Sequence, residues 1–186
     1  MGSTLIVDQE DLAMNLSNTA LLVIDLQMDY FTDGLFPLWQ AEPTKKAIVE
    51  VMQKVSGRGG HVIHVQHIAQ PTNGMAPFFN KGTSGVVIHP DILAAAPDAP
   101  VIVKHFADAF HQTDLGETLA QRKISQLLVC GMMTQNCVTH TAISRSAEPY
   151  EVKVVADCCT TQTEMLHRIA LNALSTRIPL LSAAEI

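Results

Sequence analysis

The sequence predicts an α/β domain: a doubly wound, six-stranded parallel sheet with helices on both faces, a Rossmann-like three-layer sandwich. Three observations predict it. Short apolar runs without polar alternation recur along the chain, as strands covered on both faces require. Segments with helical spacing of apolar residues separate them, which calls for right-handed βαβ crossovers. Several runs stop abruptly at a charge, at Asp25, Lys104 and Asp157, and the carboxyl ends of parallel strands are where such sheets place their sites.

The bulk properties fit one compact domain. The chain has 186 residues, 47% hydrophobic and only 16% charged, enough for a single sizeable core. The sparse charge points to surface buried between subunits, hence a homo-oligomer. A net charge of −6 without a basic block argues against nucleic acid. No apolar run approaches a membrane span, and residues 1–19 lack the pattern of a secretory signal. Cys130, Cys137, Cys158 and Cys159 show neither a disulfide framework nor a CxxC pair, which fits a cytoplasmic protein.

Residues 1–18 read as a solvated N-terminal arm carrying Asp8, Glu10 and Asp11, and the domain proper spans 19–186. Thr19 to Asp25 is the first strand. Pro43 to Val55 is a helix with Ala47, Ile48, Val51, Met52 and Val55 on one stripe and Pro43 in its first turn. The Gly57-Arg58-Gly59-Gly60 run ends that helix and precedes a strand, so it is not a dinucleotide fingerprint. His61 to Ile68 is the second strand. Residues 69–90 form a long loop with Phe78-Phe79, of the length that usually carries function. Pro100 to Lys104 is the third strand, Leu115 to Lys123 a short helix, and Leu127 to Cys130 the fourth strand. A helix over 135–147, a strand from Val152 to Ala156, a helix from Glu164 to Leu174 and a strand from Ile178 to Leu181 complete the order.

The stretch Leu127-Leu128-Val129-Cys130-Gly131-Met132-Met133-Thr134-Gln135-Asn136-Cys137-Val138 organises the rest. It reads as a buried strand, a Gly turn and a first helical turn, with Thr134 as N-cap. Free N–H groups and the macrodipole at such a turn favour a thiolate at Cys137 and can hold an oxyanion. A small buried residue on a packed helix face is the bland alternative.

Asp25, Lys104 and Cys137 each lie at or just past the carboxyl end of a strand. If the strand order reverses beside strand one, all three meet in one crevice. The carboxylate would act as general base and the ammonium would pair with it and lower both pKa values. His64, His67 and His89 invite a metal, but positions 64 and 67 face opposite sides of a strand and no acid flanks them. Ordinary hydrogen-bonded histidines are expected, with no metal and no cofactor. His67 and Gln66, near the strand's end, can still line a pocket.

These residues also carry a resemblance. LLVIDLQMDY at the first strand, VIVKHFADAF at the third and VCGMMTQNCVTHTAISRSAE at the fourth strand and its helix resemble the isochorismatase-like cysteine hydrolases, over roughly residues 19–182. That superfamily includes nicotinamidases, N-carbamoylsarcosine amidases and ureidoacrylate amidases. The resemblance implies a catalytic triad of Asp25, Lys104 and Cys137. It implies a non-proline cis peptide at Met132–Met133 and an oxyanion hole from the N–H groups of Met133 and Cys137. It also implies a small amide, ureido or carbamoyl substrate cleaved through a thioester. Gln27, Phe31, Phe110, Met132 and Thr134 are the expected substrate-binding residues. Trp39, Phe78, Phe79 and Phe106 are further candidates for pocket walls.

Three features narrow the expectation. Met28 follows Gln27 where the family commonly has Asn. The stretch Gln66-His67-Ile68-Ala69-Gln70 lacks the acid of the nicotinamidase metal site, and Cys137 argues against hydrolysis of isochorismate itself. Alternatives on the same fold are a redox or thiol-sensing protein and a non-catalytic oligomeric one.

Overall fold

In the computed structural model, which describes residues 16–71 and 74–186, six parallel strands form one sheet. They are β1 (Thr19–Ile24), β2 (His61–His67), β3 (Val101–Lys104), β4 (Gln126–Met132), β5 (Glu151–Thr160) and β6 (Leu180–Leu181), in the order β3-β2-β1-β4-β5-β6. The chain winds outward from β1 to one edge, returns, and winds from β4 to the other. The reversal between β1 and β4 leaves a crevice at their carboxyl ends. Both edge strands are short.

The apolar runs form strands because both faces are covered. Every residue of β1 is buried, and all but the first of β4. The helix α1 (Ala41–Gly57) lays Ile48, Val51, Met52 and Val55 against β1, β2, β4 and β5. Burying four such side chains stabilises the layer by roughly 1.5–3 kcal/mol each. The remaining helices are α2 (Pro90–Ala95), α3 (Leu115–Gln121), α4 (Thr139–Ala142) and α5 (Glu164–Ser175). Thr163 caps α5 by accepting from the Leu166 N–H.

Residues 1–15, with Asp8, Glu10 and Asp11 of the expected arm, lie outside the described residues. Leu16, the first described residue, is buried, and its N–H donates to the Arg58 carbonyl.

Beyond α2, which the sequence reading does not contain, and a β6 that starts at Leu180 and not Ile178, two elements differ from that reading. The helix expected over 135–147 is broken into a π-helical turn (Thr134–Val138), α4 and a single 3-10 turn at 145–147. Ser144 makes the second break, since its side chain accepts from the Ser146 N–H and starts the last turn. The fifth strand does not stop at Asp157 but runs to Thr160, because a register shift between Val129 and Gly131 lets β4 and β5 pair again at Gly131–Cys159. Asp157 therefore lies within a strand, accepting from the Ala183 N–H.

Candidate active site

Three strand ends deliver three side chains to the crevice. Asp25, just past β1, has φ 54° and is fully buried. Asp tolerates that left-handed backbone better than most residues, and the turn is held by hydrogen bonds from Asp25 N–H to Val65 and from Gln27 N–H to the Asp25 carbonyl. Lys104 ends β3 and is fully buried too. Cys137 sits in the π-helical turn after β4 and is 3% exposed. Gly131 allows the approach: it has φ 122°, and a Cβ there would fall 2.1 Å from the Ile24 carbonyl oxygen.

The ammonium of Lys104 is the hub. Its Nζ lies 2.9 Å from Asp25 Oδ2, 2.9 Å from His67 Nδ1, 3.1 Å from the Phe106 carbonyl and 3.2 Å from Cys137 Sγ. Asp25 Oδ1 is buried with no hydrogen-bond partner among the described residues. The donor atoms of Asp25, His67 and Cys137 lie within 4.8 Å of one another, close enough for a cation to sit among them. The cation seated there is the chain's own Lys104.

Burial sets the electrostatics. It works against the charge of Lys104, but Asp25 and Cys137 outweigh it and hold the ammonium above its ordinary value. Burial, reinforced by Asp25, pushes the Cys137 thiol well up, and Lys104 only partly opposes this. Desolvation thus opposes the thiolate that the free N–H groups of the turn are expected to favour. Burial and then the Lys104 charge bring His67 down to about 4, so its ring is neutral at ordinary pH. Tyr30 is buried nearby, and burial, then Asp25 and Cys137, raise its phenol.

The peptide Met132–Met133 is cis, as the family resemblance implies. Thr134 is not an N-cap. Met133 takes that position without a side-chain bond, and the buried Thr134 hydroxyl lies 2.9 Å from His167 Nδ1. Gln27 is spent internally: its Oε1 accepts from the His67 N–H at 2.7 Å, and its Nε2 donates to the carbonyls of His67 and Val86 at 2.8 and 2.7 Å. It ties β1 to the end of β2 and to the 84–86 turn. Phe31 packs edge-on to His89 with Lys45 over its ring, towards α1 and α2. Phe110 is half-buried and stacks on Tyr150. Met132 is fully buried at the end of β4.

The residues the sequence reading missed are His67 as a partner of Lys104, and Tyr30. The strand register reveals His67, and local periodicity does not carry it. His67 and Lys104 are paired across β2 and β3, so their side chains share a face. Phe79, from the 69–90 loop, packs on both His67 and Tyr30. Of the other histidines weighed as ligands, His64 Nε2 bonds the Ala96 carbonyl and His89 caps α2.

The all-parallel sheet thus carries a buried Asp, Lys and Cys together at its switch point. The Isochorismatase domain model matches residues 19–185, and the chain belongs to that family. The isochorismatase family protein YddQ of Bacillus subtilis is 38% identical over 145 residues, 78% of this chain and 79% of that one. Streptothricin hydrolase of Streptomyces noursei is 28% identical, over 76% of this chain and 54% of its own. Among solved structures, an isochorismatase-like hydrolase from Alkaliphilus metalliredigens superposes with a TM-score of 0.82 at 27% identity, covering 90% of this chain and 95% of that one. The nicotinamidase PncA of Bacillus subtilis shares the fold, with a TM-score of 0.78 at 20% identity over 89% and 99% of the two chains.

Proposed function

We propose that this isochorismatase-family hydrolase uses Cys137 as nucleophile to cleave a small amide, ureido or carbamoyl C–N bond. The single observation that carries the reading is the contact of Lys104 Nζ with both Asp25 Oδ2 and Cys137 Sγ, at 2.9 and 3.2 Å, in a fully buried cluster. An ion pair held beside a thiol has a use that a merely structural ion pair lacks.

The steps follow from the protonation states. The orphaned Oδ1 of Asp25 is an open acceptor for the thiol proton. The S–H bond breaks, an O–H bond forms on Asp25, and the sulfur, now facing Lys104, attacks the substrate carbonyl. The oxyanion is held by the N–H groups of Met133 and Cys137. The C–N bond breaks as Asp25 returns the proton to the departing nitrogen, leaving a thioester. Water, deprotonated by Asp25, then attacks the thioester and frees the acid and the thiol. A relative named streptothricin hydrolase supports a hydrolytic reaction. No bound cofactor enters any step.

The test is intact mass after incubation with a panel of small amides, ureas and carbamoyl compounds, alongside Cys137→Ala. A mass increase equal to the acyl half, confined to the wild type, is the expected outcome. Unchanged turnover in Cys137→Ala would rule the reading out. A Cys137 that oxidises yet never acylates would favour a thiol sensor instead.

A further inference from the structure

We propose that His67 is a positioning residue for Lys104, one that holds an ammonium hydrogen away from the sulfur of Cys137 until Asp25 has taken the thiol proton. The inference starts from a count. Lys104 has three N–H donors and no acceptor. Four acceptors surround it: Asp25 Oδ2, His67 Nδ1, the Phe106 carbonyl and Cys137 Sγ, at 2.9, 2.9, 3.1 and 3.2 Å. One acceptor must go without, and the thiol sulfur is the weakest of the four.

The ring's role is fixed by the same geometry. A nitrogen 2.9 Å from an ammonium can only accept, so Nδ1 carries no proton and Nε2 does. Burial and the Lys104 charge keep the ring neutral, with His105 adding to them and Asp25 opposing. The ring is also held in place. Gln27 clamps both backbone groups of His67, and Phe79 packs against the imidazole. Such a scaffold suits an acceptor that must not drift.

The consequence is a sequence of hydrogen bonds. In the resting site the three hydrogens serve Asp25, His67 and Phe106, and Cys137 keeps its own proton. When that proton moves to Asp25, the neutral carboxyl becomes a poorer acceptor than the new thiolate. The ammonium hydrogen that Lys104 had donated to Asp25 then turns to sulfur, while His67 and Phe106 keep Nζ where it was. Without His67 a hydrogen is free for sulfur from the outset, and the resting thiolate fraction rises. The catalytic meaning rests on the hydrolase reading above; the hydrogen-bond assignment does not.

The experiment is alkylation by iodoacetamide at neutral pH, with peptide mapping of all four cysteines. His67→Leu should alkylate at Cys137 about tenfold faster than wild type, the effect of a one-unit fall in thiol pKa, with Cys130, Cys158 and Cys159 still protected. His67→Asn, whose Oδ1 takes the place of Nδ1, should stay within about threefold of wild type, since it restores the acceptor. A Leu variant no faster than wild type, or an Asn variant matching Leu, overturns the proposal. Should His67→Leu fail to fold, nitrogen-15 shifts of the wild-type imidazoles decide: a pyridine-type Nδ1 on His67 supports it, and a protonated Nδ1 refutes it. If these results hold while no amide is cleaved, only the hydrolase reading falls.

Discussion

In the proposed mechanism Asp25 is both a buried anion and a base. Its charge is met by Lys104 at 2.9 Å, and neither residue reaches solvent. Removing one partner strands the other, so Asp25→Ala should lower unfolding free energy by about 3–5 kcal/mol in urea titration. Asp25→Asn keeps the shape and some hydrogen bonding but cannot take a proton. It should reduce turnover by roughly 10²–10⁴-fold, measured under saturating substrate. A turnover within twofold of wild type would remove Asp25 from the role of base. His67 adds a pH signature. Its folded value is about 4 against an ordinary 6.5, so between those values the unfolded chain binds the extra proton. Stability is therefore full above pH 6.5 and is lost as pH falls towards 4, with a slope of up to about 1.4 kcal/mol per unit from this group. Urea midpoints across that range should fall more steeply in wild type than in His67→Asn.

At the scale of elements, β1 and β4 meet so closely that Gly131 has room for no side chain. A Cβ would press on the Ile24 carbonyl oxygen at 2.1 Å, in a backbone region that L residues avoid. Gly131→Ala should cost upwards of about 3 kcal/mol, read as a lowered urea midpoint. Gln27 makes a second link. Gln27→Ala would leave the N–H and carbonyl of His67 without the partners they have now, at a cost of about 2–4 kcal/mol. Much of this scale was legible in the chain. The runs at 19–25, 61–68 and 100–104 form strands within a residue of their expected ends, because burial on both faces writes itself as continuous apolar sequence. The break after Cys137 was not legible. An apolar stripe through Val138 and Ala142 looks the same whether the backbone closes π-helical or α-helical turns, and tertiary packing decides between them.

At the scale of the whole molecule, the sheet order is what unites positions 25, 104 and 137. The sequence located each residue at a strand end, but their meeting depended on an order that had to be assumed. Pairing across strands is long-range information, absent from local periodicity, which is why His67 beside Lys104 escaped notice while the Asp, Lys and Cys positions did not. No helix among the described residues is long and apolar enough to cross a membrane. The rims of the sheet carry a last consequence. One border strand offers four residues and the other two. A foreign strand seeking to extend the ladder finds almost no main chain to grip, even though Val101 and Val103 present apolar side chains beside it. The folded protein should therefore resist templated fibril growth, and concentrated native samples should stay dark to thioflavin T.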